Sequence, residues 1–309
     1  MSEKLPLVSV VAVCYNHSKF VVECLDSIKN QTYQNIELII MDDCSSDNSV
    51  EVINEWIKVN KVDCRFIAHE ENQGLCKTLN EAINYCNGVY IQMVACDDIY
   101  SFNKTEVLVK EIIDTDEKVG VVFSDALVFG GNTPYNGKSF IKEYAKHTEI
   151  IGKDLYSELC LKNFIPAMAT LIKKEVYDKV GHYDEELIYE DYDFWLRVSK
   201  QFNFKYVDVF TAEYRLHENN LHKRKKTNAN YVNDYKMLRK HIGNKMINKR
   251  LESLMIHLAL NKSNKSFINE YTNKINKTGF TYENNLIYTL MKNHFPIIFI
   301  KMILRLNRF

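Results

Sequence analysis

The feature that most constrains the fold is an alternation of short apolar runs with amphipathic segments over residues 7–129. Each apolar run is rich in Val and Ile and has the length of a strand, and the segments between them repeat apolar residues at helical spacing. The strand-like runs are 7–15, 36–43, 64–70, 89–95 and 119–129, and the helical patterns are 20–31, 45–59, 75–86 and 104–115. Apolar strands that alternate with helices predict an α/β fold with a mixed, mainly parallel sheet.

The remainder of the chain is less regular. Residues 132–150 are polar and aromatic without a period, which predicts a long functional loop. The next predicted elements are a strand and a helix closed by Gly181 over 168–181, a helix over 191–202, and one or two strands over 204–216. A helical sequence rich in Asn and Lys follows, and the basic run 222–226 indicates a boundary. We therefore expect a domain at 1–218 and a basic, mainly helical region at 219–309.

Charge is divided unevenly, although the whole chain has 40 basic and 40 acidic side chains. Residues 1–216 carry 22 Lys and Arg against 35 Asp and Glu, whereas residues 217–309 carry 18 against 5. The basic region ends in a short apolar stretch over 293–309. This pattern predicts either peripheral contact with an anionic membrane or a C-terminal helix packed on the protein or on a second copy.

Several protein classes are disfavoured. No run of about 18 apolar residues predicts a membrane-spanning helix, and the N-terminus reads as a first strand, not as a cleaved leader. Eight cysteines without a CxxC pair indicate a reduced, cytoplasmic protein, which we expect at the inner face of the membrane if the basic region binds there. The glycine loops of dinucleotide and P-loop sites are absent from the sequence. We also expect no nucleic-acid partner.

Polar residues collect where the predicted strands end, and that edge of a parallel sheet is where ligands bind. Asp97 and Asp98 follow the fourth strand, and acids or amides follow the first three as well. Without a glycine loop, a phosphate ligand needs a divalent cation held by carboxylates, and Mg²⁺ or Mn²⁺ suits that arrangement. The sequence therefore predicts a metal at Asp97 and Asp98 that bridges a diphosphate.

Six motifs in order are similar to those of family 2 glycosyltransferases of the GT-A fold, which are Rossmann-like nucleotide-diphospho-sugar transferases. They are VSVVAVCYN, IELIIMDDCSSDNS, ENQGLCKTLNEAI, GVYIQMVACDD, GHYDEELIYEDYDFWLRV and YRLH, and they cover roughly residues 5–218. The QxxRW pattern of processive relatives is absent, which favours an enzyme that adds one sugar.

The resemblance implies the site residues. Those expected to bind the nucleotide are Val13, Tyr15, Asp42, Asp43, Asn72, Gly74 and Asp97, with Tyr15 stacking on the base and Asp43 accepting from the uracil N–H. Asn80 is expected on the same side. Metal ligands are expected at Asp97, Asp98 and His217, and the sequence leaves open which Asp ligates. The chain departs from many relatives in having Ala95 in place of a leading acid and Leu79 in place of an Arg.

The resemblance also implies the chemistry. Asp191, with Glu190 beside it, is expected to act as general base in an inverting transfer from a nucleotide sugar, most plausibly a UDP-sugar, to a saccharide acceptor that can be lipid-linked. The expected setting is assembly of a bacterial surface polysaccharide. Two alternatives stay open, a non-catalytic nucleotide-sugar-binding relative and a nucleotidyltransferase. The sequence does not decide the oligomeric state.

Overall fold

The computed structural model of the protein describes residues 5–147, 154–218, 220 and 228–260. The chain divides into two compact units, Met1–Lys223 and Arg224–Phe309. The basic run 222–226 and the apolar stretch 293–309 of the sequence analysis lie outside the described residues. Among the helices of the described ranges, none has both the length and the apolar character needed to cross a bilayer.

The first unit begins with alternating strands and helices, as the sequence predicts. The elements are β1 (Val8–Cys14), α1 (Val21–Lys29), β2 (Ile36–Asp42), α2 (Ser49–Asn60), β3 (Cys64–Ala68), α3 (Leu75–Tyr85), β4 (Tyr90–Ala95), β5 (Ile99–Tyr100), α4 (Lys104–Ile113) and β6 (Val119–Phe129). Every residue of β1 is buried, because the strand lies in the interior of the sheet with helices packed on it.

The later elements of this unit are shorter. They are β7 (Lys138–Ser139), a π-helical turn (Phe140–Tyr144), α5 (Leu155–Leu161), a 3₁₀ turn (Ala167–Ala169), β8 (Thr170–Lys173), α6 (Lys174–Val180), α7 (Asp191–Val198) and β9 (Asn203–Arg215). Gly181 ends α6 with a φ of 85°, a left-handed conformation that glycine adopts without strain. The second unit contains, in its described residues, α8 (Asn228–Leu238), a 3₁₀ turn (Arg239–His241) and α9 (Lys245–Leu260).

The described strands form one sheet in the order β3-β2-β1-β4-β8-β6-β9-β5, with β7 paired to β6. The pairs β3-β2, β2-β1, β1-β4 and β6-β9 are parallel, whereas β8 runs antiparallel to both β4 and β6. The parallel half brings the carboxyl ends of β1, β2 and β4 to one edge. That edge is where the sequence analysis expects the ligand.

The loop predicted over 132–150 is anchored to the sheet by a buried carboxylate. Oδ1 of Asp125, in β6, accepts from the backbone N–H of Ile141 at 3.0 Å, and Oδ2 accepts from the hydroxyl of Ser139. Asp125 is 1% exposed, and a buried acid is tolerated where donors satisfy it. The π-helical turn is therefore held in place by a dedicated side chain.

Candidate active site

The loops after β1 and β2 are joined by hydrogen bonds. Asn16 has a φ of 59°, and its Oδ1 accepts from the backbone N–H of Ser46 at 2.7 Å. The backbone N–H of His17 donates to Oγ of Ser49 at 3.1 Å. These contacts fix the backbone that carries Tyr15 and His17, and the ring of Tyr15 remains 43% exposed. An exposed ring on a fixed backbone can stack on a planar ligand.

Asp42 and Asp43 are both buried but have different partners. Asp42 accepts from the backbone N–H and the hydroxyl of Ser45, at 2.8 and 2.6 Å, so it shapes the turn after β2. The N–H of Asp43 donates to the carbonyl of Cys14 at 3.0 Å, which places Asp43 beside the end of β1. Its carboxylate accepts from the backbone N–H groups of Gln73 and Gly74, at 2.7 and 2.9 Å, just before α3.

His69 links this carboxylate to a second one. Its Nδ1 lies 3.0 Å from Oδ1 of Asp43, and its Nε2 lies 3.2 Å from Oε2 of Glu81 in α3. Asn72 donates to the carbonyl of Asp43 at 2.9 Å. Asp43 therefore has most of its lone pairs occupied and keeps one position for a further donor.

Gly74 lies at the N-terminus of α3 in a conformation that side chains rarely adopt. Its φ is 85°, and a Cβ atom at this position would meet no heavy atom within 4 Å. The space beside the helix start is therefore open, next to the carboxylate of Asp43. Val13 is buried in β1 and pairs with Met41 and Ala95, so it supports the two strand ends.

His17, Asp97 and His217 form a candidate metal centre. Nε2 of His217 lies 2.9 Å and Nε2 of His17 lies 3.7 Å from Oδ2 of Asp97, and the three potential ligand atoms all lie within 4.8 Å of one another. Asn220 also approaches Oδ2 of Asp97, at 3.4 Å, and its Oδ1 accepts from the N–H of His217. Two imidazoles and one carboxylate are a donor set that first-row transition metals accept.

The electrostatics of this cluster favour a cation. Burial works to raise the pKa of Asp97, but the hydrogen bond with His217 and the imidazole of His17 outweigh it, and the pKa lies below its ordinary value. Burial lowers the pKa of His17, against the attraction of Asp97. An ionised carboxylate beside a neutral imidazole is the state in which both groups bind a metal.

Asp98 lies outside this cluster. Its Oδ1 accepts from the backbone N–H of Arg215 at 2.9 Å, and burial together with the charge of Asp97 raises its pKa well above the ordinary value. The Arg215 side chain donates from Nε to the carbonyl of Asp97 at 2.8 Å and forms an ion pair with Glu23. Arg215 therefore clamps the acidic turn to the end of β9, and of the two acids it is Asp97 that joins His217.

Glu190 and Asp191 meet at the start of α7. Oδ1 of Asp191 accepts from the backbone N–H of Tyr192 at 2.6 Å, and Oδ2 accepts from the amide of Asn163 at 2.7 Å. Burial raises the pKa of Asp191, whereas the hydrogen bond from Asn163 lowers it. Burial, followed by the charge of Asp191, raises the pKa of Glu190 to about 8. The pKa of each carboxyl therefore lies above its ordinary value.

The loop between α6 and α7 is fixed by α3. The amide of Asn80 accepts from the N–H of Tyr183 at 2.9 Å and donates to the carbonyl of Tyr183 and to Glu185. The thiol of Cys76 donates to the carbonyl of Leu187 at 3.2 Å. Asn80, which the resemblance placed beside the nucleotide, thus holds the loop that leads to Asp191, and its contacts in the described residues are to that loop.

Three contributors escaped the sequence analysis: the ring of His17 as a possible ligand, His69 beside Asp43, and Asn163 beside Asp191. Trp195 belongs to the core, at 2% exposed. Burial and then the charges of nearby acids, among them Asp98, Asp97 and Asp191, raise the pKa of Tyr214. The structure therefore joins Asp43 to Gly74 and Asp97 to His217, whereas Asp42 and Asp98 are engaged in local contacts.

The fold and the site define a class, that of the nucleotide-sugar transferases with a GT-A architecture. The profile of the family described as "Glycosyl transferase family 2" matches residues 9–181. The chain belongs to this family, which confirms the resemblance read from the six motifs.

Curated relatives are named as glycosyltransferases. The glycosyltransferase GlyG of Streptococcus pneumoniae serotype 4 is 33% identical over 204 residues, which are 63% of this chain and 66% of the relative. An uncharacterized glycosyltransferase of Rickettsia typhi, RT0329, is 32% identical over 63% of this chain and 60% of its own length. The matched part thus spans less than two thirds of these relatives.

Solved structures confirm the α/β GT-A fold. S. aureus TarS 1-349 in complex with UDP superposes with a TM-score of 0.58 at 18% identity, over 82% of this chain and 72% of that one. The mannosyltransferase PcManGT from Pyrobaculum calidifontis, in complex with GDP-Man and Mn²⁺, gives 0.61 at 12% identity, over 90% and 82%. At these identities the likeness shows the fold alone.

Proposed function

We propose that the protein is an inverting, metal-dependent glycosyltransferase that moves a sugar from a UDP-sugar to a saccharide acceptor. The observation that carries the proposal is the cluster of His17, Asp97 and His217 at the ligand-binding edge of a family 2 fold. Tyr15 and Asp43 follow β1 and β2, and Asp191 begins α7. In the proposed complex Tyr15 and Asp43 would hold the base, the cluster would face the diphosphate, and Asp191 would face the reacting sugar.

The donor assignment rests on chemistry and on relatives. The carboxylate of Asp43 keeps a free acceptor position, which fits the imide N–H of uracil, and Tyr15 offers its ring to the base. TarS has been solved with UDP and with UDP-GlcNAc, whereas PcManGT has been solved with GDP-Man. UDP is therefore the first nucleotide to test, with GDP and dTDP after it.

His17, Asp97 and His217 would hold the divalent metal, Mn²⁺ or Mg²⁺. A metal bound there supplies positive charge to stabilise a diphosphate leaving group. The donor set fits such an ion, since each of the three residues offers one ligand atom and all of these atoms lie within 4.8 Å of one another. Asp98 would support the turn rather than ligate.

Asp191 would accept the proton of the acceptor hydroxyl. As that oxygen forms a bond to the anomeric carbon, the bond from this carbon to the diphosphate oxygen breaks, and UDP leaves with the electron pair on the opposite face. The anomeric configuration inverts. Asp191 ends protonated, with its hydrogen bonds from Tyr192 and Asn163 in place.

The proposal for the cellular setting is based on the excess of Lys and Arg over residues 217–309. Residues 1–218 would form the catalytic domain, and the basic region 219–309 would contact an anionic membrane at the cytoplasmic face. Such contact suits a lipid-linked acceptor in the assembly of a surface polysaccharide. Binding of the full chain to vesicles with and without anionic lipid tests this part separately.

The donor site is tested by calorimetric titration of UDP, with and without Mn²⁺. We expect metal-dependent binding to the wild type and to a control, Asp114→Ala, because Asp114 is exposed at the end of α4. Binding should be lost in Asp97→Ala. Failure of UDP, GDP and dTDP to bind in the presence of Mn²⁺ would contradict the donor assignment.

The variant Asp191→Asn distinguishes a catalyst from a protein that only binds the nucleotide. We expect UDP affinity to be unchanged and UDP release from a panel of UDP-sugars to fall by about 10²–10⁴-fold. Equal turnover in the variant and the wild type would contradict the role of Asp191. Binding without turnover in the wild type, across donors and acceptors, would support the non-catalytic alternative.

A further inference from the structure

Two adjacent carboxyls lie at the start of α7, and in the described residues the side-chain amide of Asn163 donates to that of Asp191. We propose that Asn163 is a positioning residue that assigns the role of general base to Asp191 by donating a hydrogen bond to its carboxylate. The inference rests on the proposed function, because it names the residue that selects the base.

The hydrogen bond between Asn163 and Asp191 is short, and Asn163 is its donor. Nδ2 of Asn163 lies 2.7 Å from Oδ2 of Asp191, and Oδ1 of Asn163 accepts from the backbone N–H of Ile165 at 3.2 Å. Because the oxygen of the amide is used by Ile165, the NH₂ group is the end that faces the carboxylate. The other oxygen of Asp191 accepts from the N–H of Tyr192. The backbone N–H of Asp191 is a third donor to the carboxylate. This leaves about one of its roughly four lone-pair positions for an acceptor hydroxyl.

The segment that carries Asn163 is held on both sides. Phe164 stacks on His147 with ring centroids 3.8 Å apart and planes 9° apart. The ammonium of Lys162 donates to the carbonyl of Ala145 at 2.7 Å. The hydroxyl of Tyr192 donates to the carbonyl of Leu159, in α5, at 2.5 Å. A donor on a segment with these supports is pre-organised for one carboxylate geometry.

The surroundings explain why a dedicated donor is needed. The titratable groups that interact with the charges of the pair are Cys76 in α3, Tyr177 in α6, Tyr183 in the loop before α7 and Tyr214 in β9. The acids Asp184 and Asp193 act on the same Cys76 thiol. These are acids, phenols and a thiol, so a negative charge on the pair gains nothing from them. The pKa of Glu190 is raised to about 8, whereas Asp191 has the amide to oppose the effect of burial. Glu190 therefore holds a proton at neutral pH, and the hydrogen bond from Asn163 favours the ionised form of Asp191.

The test is a titration of the Asp191 carboxyl in the full-length protein labelled with ¹³C at the Asp side-chain carboxyls. Asp191→Asn assigns the resonance. We expect Asn163→Leu, which has a similar volume and no donor, to raise the pKa of Asp191 by about one to two pH units. The acid limb of the kcat/KM profile should move to higher pH with it.

The matched control is Asn54→Leu, the same substitution at an exposed position of α2. It leaves the donors to the Asp191 carboxylate in place, so the pKa of Asp191 should stay at its wild-type value. If Asn163→Leu does not fold, Asn163→Ala is titrated in its place, and Asn163→Gln, which keeps an amide, should recover part of the wild-type pKa.

An unchanged pKa of Asp191 in the folded Asn163 variant would overturn the inference, as would an equal change in Asn54→Leu. The outcome is independent of the donor assignment, since the titration needs no substrate. A wild type that binds no nucleotide would refute the proposed function and leave the measured link between Asn163 and Asp191 standing.

Discussion

Nε2 of His217 lies 2.9 Å from Oδ2 of Asp97, although 120 residues separate them in the chain. The contact joins the turn after β4 to the segment after β9, and His17 from the loop after β1 completes the cluster. A centre assembled from three distant segments depends on the whole first unit being folded. The first two predictions concern this centre.

His17 is predicted to contribute directly to metal affinity. Replacing it by Asn removes one of the two imidazoles, and we expect Mn²⁺ affinity to fall by about 10–100-fold, as losses of groups around metal sites typically do. Electron paramagnetic resonance of free Mn²⁺ measures this without substrate. His182→Asn is the matched control, because His182 is exposed and lies outside the cluster. Equal Mn²⁺ affinity in His17→Asn and the wild type would remove His17 from the site.

The centre is predicted to prefer Mn²⁺ over Mg²⁺. Mg²⁺ favours oxygen ligands, whereas imidazole suits transition metals, and two of the three donors here are imidazoles. We expect Mn²⁺ to support UDP binding at concentrations at least tenfold below those of Mg²⁺. Calorimetry with each ion in turn checks the order. Equal potency of the two ions would instead point to a centre dominated by carboxylates.

Glu190 is predicted to make stability depend on pH. Its folded pKa, about 8, lies above the ordinary value of 4.5, so the folded state binds more protons between these limits. Stability is then fully present below pH 4.5 and is lost as the pH rises through 8. Glu190→Gln keeps a neutral side chain, and we expect its melting temperature to match the wild type at pH 4.5 and exceed it by roughly 3–8 °C at pH 9.

The comparison for that prediction is Glu186→Gln, since Glu186 is an exposed acid in the same loop. Thermal melts of the three proteins across pH 4.5–9 give the answer. A constant difference between Glu190→Gln and the wild type at every pH would exclude a titrating Glu190 as the cause.

Replacement of Arg215, even by Lys, is predicted to lower the stability of the protein. Its guanidinium lies 4.8 Å from the ring centre of Phe20 and 4.4 Å from that of Phe129, and it also donates to the carbonyl of Asp97. A lysine ammonium cannot reproduce this planar, stacked geometry. We expect Arg215→Lys to destabilise the protein by about 1–3 kcal/mol and to weaken Mn²⁺ binding at the adjacent turn.

Glu23→Gln removes only the charge of the exposed partner of Arg215 and should cost less than about 1 kcal/mol. Thermal melts and Mn²⁺ titrations of both variants distinguish the contribution of the other Arg215 contacts from that of the ion pair with Glu23. If Arg215→Lys and Glu23→Gln change stability and Mn²⁺ affinity equally, the position of the guanidinium over the two Phe rings contributes to neither.

The sheet and most of the helices follow from the sequence because their signals are local. β1 is an apolar run that the sheet buries completely, and Gly181 ends α6 as its position suggests. The antiparallel insertion of β8 between β4 and β6 has no such signal, since pairing order depends on contacts between distant segments.

Some residues of the candidate site can likewise be predicted from the sequence, and others cannot. Acids at strand ends are visible in the sequence, but adjacent residues such as Asp97 and Asp98 point to different partners, and only the fold decides which one meets His217. Asn163 carries no motif at all. Its role arises because the segment after α5 packs against the start of α7. Side chains that act on one another across long stretches of chain leave no periodic pattern to read.

The position of β9 has a consequence for both the sheet and the candidate site. The strand inserts between β6 and β5 and delivers Arg215 and His217 to the acidic turn. Asp191, Arg215 and His217 all lie beyond residue 181, where the family profile ends. Without β9 the edges of β6 and β5 that it pairs with are left open. Protection of those edges and completion of the candidate metal centre therefore both depend on the same late segment of the chain.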